Sequence, residues 1–277
     1  MKKYTLRRQR IPSPGGSMNL LILQPTASRR APEETPGVLW IHGGGYVTGM
    51  AGMIYISRAM ALVKKYGAVV ITPEYRLAPR HPYPAAAEDC HAALMYLKEH
   101  APELGCSPSR LMVGGESAGG GLTAAVCMMA RDRGTVSIAF QMPLYPMLDD
   151  RDTPSSRDNH GLVWNTRRNH AAWKAYLAQA DRSSLTPYAA PARQTDYSRL
   201  PPAYTFVGDR EPFHGETIAY IKALQSAGIP ARADVYPTGF HAFDMLTPFR
   251  KISRRAIREF ERQYLFAAAH YSADQNA

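Results

Sequence analysis

The chain has 277 residues, 45% of them hydrophobic and 20% charged, which fits one large α/β domain and excludes a disordered chain. Three cysteines (Cys90, Cys106 and Cys127), at spacings that suit neither a disulfide framework nor zinc, point to a reducing, cytoplasmic setting. The formal net charge of +10 comes from 33 Lys plus Arg against 23 Asp plus Glu, densest at residues 2–10 and 250–262; with no nucleic-acid motif between, it reads as solvated surface.

The basic N-terminus leads into no apolar run longer than Leu20-Leu21-Ile22-Leu23. That is short of the about 7–15 residues of a signal-peptide core and of the about 18 of a membrane span, so a soluble chain without membrane contact is expected. Residues 5–11 and 18–24 predict a β-hairpin turning at Pro14-Gly15-Gly16. From there strand and helix patterns alternate. Strands are expected at 38–41, 68–72, 110–114, 138–145, 204–207 and 233–236; helices at 57–66, 85–100, 118–131, 216–227 and 248–269. Such alternation implies one mostly parallel sheet with helices on both faces, ligands gathering at the carboxyl ends of its strands. Residues 149–202 break the rhythm. They are polar and proline-punctuated, with one amphipathic piece at 169–179, and read as an inserted cap within a single domain.

Gly115-Glu116-Ser117-Ala118-Gly119 fits G-x-S-x-G between a strand and a small-residue helix, the context of a nucleophile elbow. The turn lifts the serine oxygen above the sheet at the N-terminus of a helix, whose dipole favours developing negative charge. His42-Gly43-Gly44-Gly45 follows a buried strand. Its glycine N–H groups allow close approach to an oxyanion, so Gly44 and Gly45, with Ala118, are the expected donors. The phosphate-loop spacings are absent, and His42 is expected to shape the loop. Of nine histidines, His241 follows the last strand and precedes the final helix, where a general base for Ser117 belongs. None of the histidines makes an i, i+4 metal pair. The acid stays open between Glu211, Asp209 and Asp149 or Asp150, all of which satisfy the order Ser, acid, His.

With Tyr75-Arg76-Leu77-Ala78-Pro79 and His81-Pro82-Tyr83-Pro84-Ala85 added, these motifs resemble the hormone-sensitive-lipase-like branch of the α/β-hydrolases from about Val38 to the last helix. The resemblance implies an α/β-hydrolase fold, carboxylesterase activity without a cofactor or metal, and an acid at Glu211, which stands where the family has aspartate. Glu116 also replaces a common aspartate, Ala242 a common glycine and Arg80 a common acid. The segment before Val38 is shorter than the N-terminal cap of many relatives. Tyr46, Trp164, Phe213 and Phe240, with Trp173 and Tyr176, are candidate walls of an acyl or alcohol pocket. Arg76 and Glu88 are expected to bond within the scaffold. The expected substrate is a small short-chain ester, with amide or formamide hydrolysis as the second reading and a non-catalytic ligand receptor as the third. A homodimer accords with the family.

Overall fold

The computed structural model describes residues 3–26 and 31–275; Lys2 of the first basic run lies outside them. Among the described residues eight strands form one sheet: β1 (Tyr4–Ser13), β2 (Gly16–Pro25), β3 (Pro36–Ile41), β4 (Val69–Pro73), β5 (Ser107–Glu116), β6 (Phe140–Leu144), β7 (Ala203–Gly208) and β8 (Ala231–Tyr236). Their order is β1-β2-β4-β3-β5-β6-β7-β8, with β1–β2 and β2–β4 antiparallel and every other pairing parallel. The helices are α1 (Ala59–Tyr66), α2 (Ala85–Glu99), α3 (Ala101–Leu104), α4 (Ala118–Arg133), α5 (Thr166–Tyr176), α6 (His214–Ser226), α7 (Phe243–Leu246) and α8 (Lys251–His270). The expected elements are all present, with ends displaced by a few residues; α3, α7 and a 3-10 segment at Ala51–Ile56 were not legible in the apolar spacing.

The central strands are apolar on both faces because each face is covered. Along β3, Leu39 and Ile41 enter the core shared with α2, α4, α5 and α6, while Val38 and Trp40 enter the core shared with α1, α7 and α8. The two-residue alternation of a strand thus feeds two cores from one short run. α8 shows the complementary logic: Ser253, Ala256, Phe260, Tyr264 and Ala267 are buried at helical spacing, while Arg254, Arg255, Arg258 and Arg262 face solvent. No helix among the described residues is long and apolar enough to cross a membrane.

Two consequences fix the site. The carboxyl ends of β3, β5, β7 and β8 lie along one edge of the sheet, since these strands run parallel. Over them passes the long connection between β6 and β7, which holds α5; its Trp173 and Tyr176 are buried against Tyr46.

Candidate active site

Ser117 sits between β5 and α4 with φ 59° and ψ −120°, a conformation that costs an L-residue on the order of 1–3 kcal/mol. Backbone bonds hold it there. The Ser117 N–H donates to Leu144 O at 3.0 Å, and the Ser117 carbonyl accepts from Gly121 N and Met147 N, each at 3.0 Å. The turn closes tightly because Gly119 has no Cβ; one placed there would collide with the carbonyl of Ile41 at the end of β3.

His241 follows β8 and Glu211 follows β7. His241 Nε2 lies 2.9 Å from Ser117 Oγ, and His241 Nδ1 makes a short contact with Glu211 Oε2. The other Glu211 oxygen accepts the Gly208 N–H at 2.7 Å, so both carboxylate oxygens are engaged. Ser117 is 7% exposed, His241 4% and Glu211 0%. Phe213 packs edge-on against the imidazole with centroids 5.1 Å apart. The extra methylene of glutamate is accommodated by the turn between β7 and α6, whose Gly208 N–H grips the far oxygen.

The loop after β3 brings glycine N–H groups to the same place. Gly43 lies against the elbow: a Cβ on it would stand 2.8 Å from Glu116 O and 3.2 Å from Ser117 Cβ. Gly44 has φ +124°, and a side chain there would strike the Thr48 carbonyl. Among the described residues no acceptor takes the N–H of Gly44, Gly45 or Ala118. Three backbone donors, one at the first position of the sixteen-residue α4, are therefore left for a ligand. His42 shapes this loop. Its Nδ1 lies 2.8 Å from Gly43 O, and its ring stacks on Tyr75 at 4.2 Å. Burial pushes its pKa down to about 4, so the ring is neutral at pH 7.

A family model described as alpha/beta hydrolase fold matches residues 38–245. The chain belongs to the α/β-hydrolase family. It is 34% identical over 236 residues to esterase LipI of Mycobacterium tuberculosis, covering 84% of this chain and 73% of LipI. Carboxylesterase NlhH of the same species is 35% identical over 217 residues, 76% of this chain and 67% of NlhH. A solved bacterial heroin esterase superposes with a TM-score of 0.85 at 34% identity, covering 93% of this chain and 82% of that one. The hormone-sensitive-lipase-like motifs of the sequence agree with these relatives.

In this hydrolase the other candidate acids are engaged elsewhere. Asp149 bonds Arg151 at 2.8 Å, Asp150 bonds Arg193 at 2.7 Å, and the side chain of Asp209, 40% exposed, faces Arg210 at 3.4 Å. The candidate pocket walls divide. Trp164 lies over Gly45, 6.5 Å from the His241 ring and 6.2 Å from Phe213 between centroids. Tyr46 departs from the expectation: it is buried in the core, stacked on Tyr176 at 4.1 Å, its hydroxyl donating to Met147 O at 2.7 Å. Phe240 is half-buried, one side of it against the α8-side core. The Tyr46 ring fills space between elements, where aromatic area contributes most to stability. Arg76 pairs with Asp89 at 2.8 Å, and Glu88 with Arg133 at 2.5 Å, both within the scaffold.

Sequence reasoning missed two buried groups beside the site. Glu216, four positions before Tyr220 on α6, accepts the Leu148 N–H at 2.5 Å and the Asp149 N–H at 3.2 Å, anchoring the start of the β6–β7 connection. A glutamate otherwise flanked by apolar helix positions was the available signal. Arg58 and Asp244 are the second pair, in contact at 3.0 Å across the fold.

Proposed function

We propose that this α/β-hydrolase is a serine carboxylesterase of short-chain esters that works through an acyl-enzyme, with Ser117 as nucleophile, His241 as general base, and Glu211 as the acid that orients it. The reaction class, carboxylic ester hydrolysis, is that of the named relatives. The observation that carries the residue assignment is the placement of one imidazole between the serine oxygen and a fully buried carboxylate. His241 Nε2 takes the Ser117 proton as Oγ attacks the acyl carbonyl. Glu211 accepts the Nδ1–H, fixes the tautomer and stabilises the imidazolium. The N–H groups of Gly44, Gly45 and Ala118 receive the oxyanion, with the α4 dipole behind the last of them. The imidazolium returns its proton to the leaving alcohol, and the same base then activates water to release the acid.

Residues 149–202 act in this reading as the cap, and Trp164 is its wall over the oxyanion loop. An indole resting on Gly45 beside His241 leaves room for a small acyl group and bars a long one. The test is a series of p-nitrophenyl esters of increasing acyl length, with Ser117→Ala as the blank. Turnover greatest at acetate to butyrate, and none above blank in Ser117→Ala, is the expected result; a long-chain optimum contradicts the narrow cap. The three cysteines are unpaired and buried, which supports a cytoplasmic setting. β8 is an edge strand with Val235 exposed, which supports a homodimer, to be read by sedimentation of the purified chain.

A further inference from the structure

Beside the triad, buried polar side chains from four parts of the chain converge. Glu116, 3% exposed and next to Ser117, accepts hydrogen bonds from Trp40 Nε1 at 2.8 Å and from the Arg58 N–H at 3.3 Å. Asp244, fully buried and three positions after His241, has Oδ2 at 3.0 Å from Arg58 Nε. The same guanidinium donates through Nη2 to the Asp244 carbonyl at 3.4 Å. Tyr145 faces both carboxyl groups with its hydroxyl, and its ring packs edge-on against His241 with centroids 5.1 Å apart. The cluster thus has two carboxyl groups for one guanidinium, and neither Asp244 side-chain oxygen has a well-aligned hydrogen bond.

We propose that Glu116, Arg58 and Asp244 are positioning residues that tie the Ser117 turn to the His241 turn, and that they do so with one proton shared between the two carboxyl groups. Two buried negative charges on one cation would leave one uncompensated, which a dry interior disfavours strongly. A single proton held by the pair removes the excess charge. Burial, reinforced by Asp244, pushes the Glu116 carboxyl up to about 8 against the pull of Trp40 and Arg58; burial raises Asp244 as well. The charged and titratable groups facing Glu116 are Asp244, Arg58 and Tyr145, and those facing Asp244 are Arg58, Tyr145 and Glu116. Burial holds the Tyr145 phenol far above its ordinary value, so it stays neutral throughout. At alkaline pH the proton leaves, like charges face each other, and the two turns lose their common anchor.

This inference rests on Ser117 as nucleophile, and its test separates the two claims. Acylation would be followed as kcat/KM for p-nitrophenyl acetate, corrected for spontaneous hydrolysis, from pH 6 to 10. The rate of Ser117 labelling by a fluorophosphonate would be followed over the same range. The wild type is expected to lose about fivefold or more in both rates between pH 7 and 9.5, whereas Glu116→Gln and Asp244→Asn each hold their own pH 7 value within about twofold. A wild type with no alkaline fall, or variants that reproduce its fall, overturns the shared proton. Should one variant fail to fold, the other carries the comparison, and the wild-type profile alone can still refute the idea. A wild-type Ser117 that takes no label overturns the nucleophile assignment instead.

Discussion

In the proposed mechanism Ser117 is an ordinary hydroxyl made reactive by what surrounds it: a strained backbone that projects it, an imidazole at 2.9 Å and three N–H groups that take no acceptor among the described residues. Removing the oxygen removes the nucleophile and little else, because Ser117 backbone bonds, not its side chain, hold the turn. Ser117→Ala is therefore expected to lower kcat by about 10⁶ with an unchanged circular dichroism spectrum and melting temperature. The acid is tested by a matched pair. Glu211→Gln turns the residue against His241 into a neutral amide and is expected to lower kcat by about 10⁴, as loss of the orienting charge does in such triads. Asp209→Asn alters an exposed neighbour of Arg210 and leaves kcat within about threefold. The reverse ranking in steady-state assays would move the acid to Asp209.

The proposed oxyanion loop depends on a glycine that cannot be replaced cheaply. Gly44→Ala meets both a positive φ and the Thr48 carbonyl, so the loop must shift and its N–H must turn. A fall in kcat of about 10²–10³ with a smaller change in KM is expected, the size of losing one oxyanion donor. In this proposal Trp164 bears on selectivity rather than rate. Trp164→Ala opens the space over Gly45 and is expected to raise kcat/KM for octanoate relative to acetate esters by at least about tenfold, read from the acyl-length series. These parts differ in how far they can be read from the chain alone. The strands, the elbow and the glycine loop are local patterns, each within about ten residues, and the structure places them where the alternation of strand and helix predicts. The choice of acid is not local: Glu211, Asp209, Asp149 and Asp150 share the same chain order, and they are separated by the contact of Glu211 with His241, while Asp149, Asp150 and Asp209 face arginines. Tyr46 shows the same limit, since an aromatic beside the oxyanion loop serves equally as pocket wall or as core, and its contact with Tyr176 lies 130 positions away in sequence numbering. Arg58 and Asp244, separated by 186 positions, carried no signal at all.

For the whole molecule, the consequence of two packed cores is that ionisable groups near the sheet are folded into dry surroundings. Glu116 has its pKa raised from an ordinary 4.5 to about 8, so between those values the folded chain holds a proton that the unfolded chain has released. Stability then falls as pH rises through this window and levels above about 8. His42 has the opposite effect: lowered from 6.5 to about 4, it contributes stability that is complete above pH 6.5 and lost as pH falls towards 4. Between about pH 6.5 and 8.5 the histidine contribution is constant and the carboxyl contribution is exposed. The melting temperature is expected to drop across that interval in the wild type, and to drop less in Glu116→Gln, by differential scanning calorimetry at fixed ionic strength. An equal slope in both proteins would assign the loss to other groups.

In the proposed mechanism one serine, activated by a histidine from the far end of the sheet, carries the chemistry. The decisive measurement treats the intact protein with a fluorophosphonate and locates the adduct by peptide mass spectrometry. One adduct per chain is expected, on Ser117, formed rapidly in the wild type and at a negligible rate in His241→Ala. Labelling of a different residue, or of Ser117 at equal rates in both proteins, would contradict it.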